Sequence, residues 1–129
     1  MESVRGLFID TDVVIDYLRG VDNARDFFKH QTKIGPLYLS VITLGEIYSG
    51  KDLDEESRLK IIEEFISNFE IALVTTSIAK TAGGLRRNNS RPFADMLIAA
   101  SALEYGFGLA TRNTKHFKNI KNLKLVKPY

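Results

Sequence analysis

The chain has 129 residues, of which 44% are hydrophobic and 26% are charged, a balance typical of a single globular domain spanning residues 1–129. It contains no cysteine, which excludes disulfide frameworks, thiolate zinc sites and cysteine nucleophiles. Its apolar runs are too short to cross a bilayer, and acidic residues interrupt the first of them, so we expect a cytoplasmic protein with no membrane partner.

Apolar runs, capping residues and turn residues predict alternating strands and helices along the whole chain. In chain order, the first half is predicted to form a strand, two helices, a strand and two helices, over residues 7–9, 11–20, 21–31, 37–39, 40–49 and 54–69. The second half is predicted to form a strand, two helices and two strands, over residues 71–74, 76–87, 92–105, 108–111 and 123–126. We assign helix caps to Thr11 or Asp12, to Ser40 and to Asp54. Short connections in this order predict an α/β fold with a mostly parallel, twisted sheet of four to five strands, covered on both faces.

The basic residues are unevenly distributed although the net charge is only +2. Residues 111–129 contain six basic residues and no acidic residue, so residues 1–110 carry a net charge of −4. A second basic group consists of Arg86, Arg87 and Arg91. Such groups attract phosphates, but lysine-rich surfaces are common in all proteins, and charge alone favours the plainer interpretation of a solvated surface.

Polar residues lie where the carboxyl ends of the predicted strands should be, which is where parallel α/β sheets bind ligands. Asp10 closes the first strand, and Glu46 lies in the helix after the second strand. Asp95 lies in the first turn of the helix before the fourth strand, and Asn113 follows that strand. Each residue also has a structural interpretation as a cap, a turn residue or an exposed helix residue.

Asp95 gives the sharpest signal, because it is the only charged residue in the apolar segment 93–103. A helix that is apolar on every face is predicted to be buried, and an unpaired carboxylate within it is costly. The helix N-terminus offsets part of that cost, so a capping role for Asp95 remains an alternative.

Three carboxylates that meet at one edge of a sheet repel each other, and their ionised forms coexist best around a bound cation. Oxygen ligands, with no thiolate and only two histidines in the chain, favour Mg²⁺ or Mn²⁺ over zinc or copper. Such an ion can present a deprotonated water to a phosphodiester. The sequence therefore predicts a metal-dependent phosphodiesterase site, with the basic residues holding the strand that is cut.

Four segments in order and spacing resemble the motifs of PIN-domain ribonucleases, in particular the VapC toxins of prokaryotic toxin–antitoxin pairs. They are residues 8–18 (FIDTDVVIDYL), 40–47 (SVITLGEI), 94–106 (ADMLIAASALEYG) and 109–117 (LATRNTKHF). The resemblance implies a PIN-like three-layer α/β/α fold and a Mg²⁺- or Mn²⁺-dependent endoribonuclease. It also implies an RNA substrate such as a tRNA or an mRNA, a cognate VapB-like antitoxin that holds the enzyme inactive, and a homodimer.

The resemblance assigns the site by position. Its catalytic residues are Asp10, Glu46, Asp95 and Asn113. Asp10 and Asp95 would contact the metal ion, while Glu46 would orient or deprotonate the attacking water. Asn113 stands where many PIN domains have Asp, which weakens the case for a second metal ion.

The remaining assignments concern supporting and substrate-binding residues. Supporting roles fall to Thr11, Asp12 and Thr111. RNA binding is predicted for Arg86, Arg87, Arg91, Arg112 and Lys115. Asp12 either adds a carboxylate near the metal ion or caps the helix, and His116 is either structural or faces the substrate.

The sequence also allows three other interpretations. Residues 45–52 nearly match a phosphate-binding P-loop, but Asp52 stands where that motif needs Ser or Thr for Mg²⁺, so we reject it. A phosphoacceptor receiver domain has a similar length and element order, but it needs an Asp after the third strand, where this chain has Thr75 and Thr76. A PIN-like module that binds RNA or a partner without turnover stays open.

Overall fold

The structure, a computed structural model, describes residues 6–129, which contain five strands and six α-helices. The strands are β1 (Leu7–Ile9), β2 (Leu37–Ser40), β3 (Glu70–Ala72), β4 (Gly108–Ala110) and β5 (Lys124–Val126). The helices are α1 (Thr11–Leu18), α2 (Asp22–Gln31), α3 (Val41–Tyr48), α4 (Glu56–Ile66), α5 (Thr76–Arg87) and α6 (Phe93–Tyr105). Two 3₁₀ turns lie at Lys51–Asp54 and Thr114–His116.

The five strands form one parallel sheet in the order β3-β2-β1-β4-β5, which confirms the predicted sheet. The central strand β1 pairs with β2 on one side and with β4 on the other, and its last residue, Ile9, lies opposite Ala110. The register brings Asp10 beside Thr111 at the carboxyl edge of the sheet, although about a hundred residues separate them in sequence.

Helices cover both faces of the sheet. Successive side chains of each strand point to opposite faces, so neighbouring residues of one strand enter different cores. Leu7 and Ile9 of β1 belong to a core that includes residues of α1, α2 and α4. Phe8 belongs to a second core, with residues of α5 and α6. This arrangement confirms the three-layer α/β/α fold. Within residues 6–129, none of the helices has the length and apolar character needed to span a bilayer.

Two predicted caps are wrong and one is confirmed. Asp10, not Thr11 or Asp12, is the N-cap of α1, and its side chain accepts from the Thr11 backbone N–H. Ser40 caps α3 as predicted, accepting from a backbone N–H of the first turn. Asp54 caps no helix, because residues 51–54 turn as a 3₁₀ segment first and α4 begins only at residue 56.

Several element bounds also differ from the prediction. Helix α4 ends at residue 66 rather than 69, and β3 covers residues 70–72 rather than 71–74, so the turn between them is longer than expected. Residues 45–52 form the end of α3 and a 3₁₀ turn. A P-loop instead leads into the first turn of a helix, so the fold supports rejecting that motif.

Gly106 ends α6 in the left-handed conformation, with φ of 71°. A Cβ atom at this position would meet no side chain or distant backbone within 4 Å, so replacement by alanine costs only the backbone strain. We expect Gly106→Ala to lower the free energy of unfolding by about 1 kcal/mol, measured by urea denaturation. Gly45→Ala, in the exposed interior of α3, should instead raise it by a similar amount. Equal shifts of the same sign would contradict this account.

Candidate active site

A cavity of about 230 Å³ lies at the carboxyl edge of the sheet, where β1 and β4 end. Its lining includes all four predicted catalytic residues and two of the supporting ones, namely Asp10, Glu46, Asp95, Asn113, Thr11 and Asp12. They come from loops and helices that follow different strands, so the fold brings together side chains that the sequence separates widely. The cavity also includes His116, one of the two positions left open by the sequence.

Asp10 is the most deeply placed carboxylate of the cavity, with only 7% of its surface exposed. The Thr11 backbone N–H donates to its Oδ1 at 2.8 Å, and the Thr111 hydroxyl donates to its Oδ2 at 2.8 Å. Burial, reinforced by the negative charge of Asp12, nevertheless raises the pKa of Asp10 to about 7. The two hydrogen bonds therefore compensate only in part for removing this carboxylate from water.

Asp12 is half-buried and lies beside Asn113, whose side-chain amide donates to Asp12 Oδ2 at 3.1 Å. Burial raises the pKa of Asp12, while the backbone N–H groups of Arg112 and Val13 and the charge of Arg112 act against that rise. The other oxygen, Oδ1, is buried without a hydrogen-bond partner. A buried carboxylate oxygen left unpaired is costly, and the capping role that the sequence offered for Asp12 belongs to Asp10.

Glu46 is an exposed residue of α3, although Thr43 and Ile47 on the same helix are buried. The Thr11 hydroxyl donates to Glu46 Oε1 at 2.7 Å and lies 3.1 Å from the hydroxyl oxygen of Thr43. This contact joins the start of α1 to α3 and fixes one oxygen of a carboxylate that would otherwise move freely in solvent.

Asp95 lies in the first turn of α6, whose residues 96–102 are all buried, as the apolar sequence predicted. The carboxylate itself is neither fully buried nor unpaired. A quarter of its side chain is exposed, and Arg91 Nη2 lies 3.5 Å from Asp95 Oδ2. The ion pair with Arg91, four residues earlier, therefore stabilises the negative charge of Asp95. The apolar residues of the helix alone would not stabilise it.

The donor set fits a hard divalent cation such as Mg²⁺ or Mn²⁺, because the cavity presents carboxylate, amide and hydroxyl oxygens. The orphaned Asp12 Oδ1 and the incompletely compensated Asp10 are both groups that a cation would stabilise. As they stand, however, no three His, Asp or Glu side chains of residues 6–129 form a group that could hold a metal ion. Binding would therefore require the carboxylates to turn toward a common point.

Sequence comparison places this geometry in a known family, because the profile of the PIN domain matches residues 7–123. The chain belongs to the PIN-domain family. This PIN domain is 34% identical over 123 residues to Ribonuclease VapC10 of Mycobacterium tuberculosis, which covers 92% of this chain and 90% of the relative. The predicted family resemblance is thereby confirmed, and the receiver-domain interpretation is excluded.

Two solved structures share the fold over almost the whole chain. The DNA-bound VapBC of Salmonella typhimurium has a TM-score of 0.82 at 26% identity, covering 96% of this PIN domain and 98% of that chain. A toxin–antitoxin complex from Klebsiella pneumoniae has a TM-score of 0.78 at 27% identity, covering 95% and 98% of the two chains. The PIN domain described here therefore has the architecture of chains found in toxin–antitoxin assemblies.

Of the five predicted RNA-binding residues of this PIN domain, Arg91 alone lines the cavity. Arg86 and Arg87 are exposed at the end of α5, and Lys115 is exposed in the 3₁₀ turn after β4. Arg112 does not line the cavity but is paired with Asp16, with Nη1 2.9 Å from Asp16 Oδ2. The structure thus leaves four of these side chains outside the cavity, where they could contact only a substrate that extends beyond it.

Sequence reasoning missed two residues that hold Arg112 beside the cavity. Asp16 Oδ2 accepts from Arg112 and also from the hydroxyl of Tyr129, at 2.6 Å. Asp16 lies four residues after Asp12 on α1, so helical spacing could have placed both carboxylates on one face. Tyr129 gave no local signal, because its approach to α1 depends on how β5 leads the chain back across the edge of the sheet.

Proposed function

We propose that this PIN domain is a Mg²⁺- or Mn²⁺-dependent endoribonuclease that hydrolyses RNA phosphodiesters and acts as the toxin of a VapBC-type pair. The observation that carries the proposal is the single cavity lined by Asp10, Glu46, Asp95 and Asn113. It occurs in a chain that is 34% identical to a protein named as a ribonuclease. The predominance of oxygen donors in the cavity supports the choice of metal ion.

The roles of the side chains follow from their positions. Asp10 and Asp95 would hold the cation, while Asp12, whose Oδ1 is buried without a hydrogen-bond partner, lines the same cavity. When bound, the cation supplies charge neutralisation and the activation of water. Glu46 orients or deprotonates the attacking water, and its orientation is fixed by Thr11.

Two further residues act through their hydrogen bonds. Thr111 donates to Asp10 and accepts from the backbone N–H of Asn113 at 3.0 Å, while the Asn113 side chain donates to Asp12. Both therefore position carboxylates of the cavity rather than react themselves.

The natural partner that we propose is a VapB-like antitoxin, because both solved structures described above are toxin–antitoxin or VapBC complexes. An arginine of that partner would pair with the exposed carboxylates and block the cavity. Copurification with the product of a small adjacent open reading frame, with loss of RNA cleavage in the complex, is the expected result. The homodimer stays a prediction.

The experiment that tests the proposal compares RNA cleavage with Mg²⁺, with Mn²⁺ and with EDTA, using tRNA and mRNA substrates. We expect cleavage with either ion and none with EDTA. Because water rather than the 2′-hydroxyl is the proposed nucleophile, an oligonucleotide with a 2′-deoxy sugar at the cut position should still be cleaved. Cleavage that persists in EDTA, or products that end in a 2′,3′-cyclic phosphate, would contradict the proposal.

A non-catalytic PIN module that only binds RNA is the second candidate, since no preassembled metal ligand set exists within residues 6–129. The two candidates differ in one measurement. The non-catalytic module would retain RNA on a filter at any concentration of Mg²⁺ or Mn²⁺ without shortening it.

The hydrogen bond from Thr11 to Glu46 gives a separate prediction. Thr11→Val keeps the shape but loses the donor, so Glu46 should lose its orientation and kcat for RNA cleavage should fall by about 10- to 100-fold. Thr11→Ser keeps the hydroxyl and should retain most of the activity. Steady-state kinetics at saturating Mn²⁺ measures both, and equal losses in the two variants would point to packing instead.

A further inference from the structure

Arg91 is the single arginine or lysine among the residues that line the cavity within the described part of the chain. The same lining contains four carboxylates, those of Asp10, Asp12, Glu46 and Asp95. A guanidinium stays charged under all conditions that a protein meets, so Arg91 contributes a fixed positive charge to an otherwise acidic cavity.

The position of Arg91 is set by its own loop. Its backbone N–H donates to Asn89 Oδ1 at 2.8 Å, and the Asn89 amide reaches the carbonyl oxygen of His116 at 3.5 Å. These contacts tie the segment before α6 to the turn after β4, and the Arg91 side chain lies at the N-terminal end of α6, against Asp95.

The guanidinium itself is incompletely bonded. Its Nη2 lies 3.5 Å from Asp95 Oδ2, which is long for a charge-assisted hydrogen bond, and its Nε is buried with no hydrogen-bond partner. A buried donor without a partner is unfavourable, so exchanging the present contact for a better acceptor would lower the free energy of the Arg91 side chain.

We propose that Arg91 is an internal counter-ion, which competes with the divalent cation for Asp95 and turns to an RNA phosphate once the cation is bound. This inference rests on the proposed function. A cation on Asp95 and a guanidinium 3.5 Å from the same carboxylate oxygen repel each other, so binding of one weakens binding of the other. The released guanidinium offers a planar set of donors, including the unpaired Nε, that matches the oxygens of a phosphodiester.

Mn²⁺ binding by isothermal titration calorimetry, without RNA, tests the competition directly. Arg91→Met removes the charge and keeps much of the length, and we expect it to bind Mn²⁺ on the order of tenfold more tightly than the unsubstituted protein. Arg91→Lys keeps the charge and should bind Mn²⁺ about as the unsubstituted protein does. The matched control is Arg87→Met, which removes an exposed arginine outside the cavity and should leave the Mn²⁺ affinity unchanged.

RNA kinetics at saturating Mn²⁺ tests the second half of the inference. Both Arg91→Met and Arg91→Lys should raise KM for RNA, because neither side chain offers the planar fork, while kcat changes less. A purely structural role for Arg91 would instead appear as a lower melting temperature with an unchanged KM.

The outcomes separate this inference from the proposed function. Equal Mn²⁺ affinity of the unsubstituted protein and Arg91→Met, with metal-dependent cleavage intact, would overturn the inference alone. An equal gain in affinity in Arg87→Met would also overturn it, since the effect would then be a general effect of charge. Absence of Mn²⁺ binding in every variant, with cleavage that ignores the ion, would overturn both.

Discussion

Replacing Asp10 with asparagine should slow RNA cleavage by about 1,000-fold or more, because the cation it would hold contributes several kcal/mol of transition-state stabilisation. Asp10 lies deepest among the cavity carboxylates, and its charge interacts with those of both Asp12 and Asp95. Single-turnover cleavage at saturating Mn²⁺ gives the rate. Circular dichroism checks that the variant is folded.

The fold should survive this substitution, since asparagine caps helices about as well as aspartate and can still accept the Thr11 N–H. The control is Asp26→Asn, an exposed carboxylate on α2 outside the cavity, which should leave the cleavage rate within about twofold. A folded Asp10→Asn protein that cleaves RNA at the original rate would remove Asp10 from the reaction. Loss of the fold would mean that its main role is to cap α1.

The sequence was sufficient to predict the cavity because the relevant signals are local. Asp10 directly follows an apolar strand, and Asp95 interrupts an apolar helix, so each stands out against its own neighbours. Parallel strands then place the residues that follow them at one edge. The meeting of the four predicted catalytic positions at one edge follows from these two facts, whereas the catalytic roles predicted for them rest on the family resemblance.

The pairing of charges could not be predicted, because it depends on tertiary distances. Arg112 belongs to the basic C-terminal segment and was expected to bind RNA, yet it is bound to Asp16 under the ring of Tyr129. That contact requires β5 to lie beside β4 and to return the last residues toward α1. Charge counting along the chain treats such an arginine as free to bind RNA, whereas in the fold it is paired with Asp16.

Asp95 shows the same limit in a helix. The apolar residues of segment 93–103 predicted a buried helix around Asp95 and left open whether its carboxylate has a functional role or caps the helix. The pattern contains no information on where Arg91 lies, since Pro92 begins the cap and the preceding residues need not continue the helix. In the fold, the Arg91 backbone N–H is hydrogen-bonded to Asn89, and the Arg91 guanidinium lies against the Asp95 carboxylate.

The stability of the metal-free protein should fall as the pH rises from about 4 to about 7, through Asp10. The folded protein holds the Asp10 proton up to a pKa of about 7, whereas the unfolded chain releases it near the ordinary value of 3.8. In that window the native state binds more protons than the unfolded state, so the free energy of unfolding decreases with pH. The full loss, up to about 4 kcal/mol, is present above pH 7 and absent below about pH 4.

Comparison with Asp10→Asn isolates this contribution, because the other titrating groups are the same in both proteins. In EDTA, the variant should gain stability relative to the unsubstituted protein as the pH rises from 4 to 8, measured by urea denaturation at each pH. Mn²⁺ binds the ionised carboxylate, so adding it at pH 8 should restore stability to the unsubstituted protein and much less to the variant. A stability difference that stays constant across this range, with or without Mn²⁺, would mean that burial of Asp10 does not oppose its ionisation and that no cation relieves it.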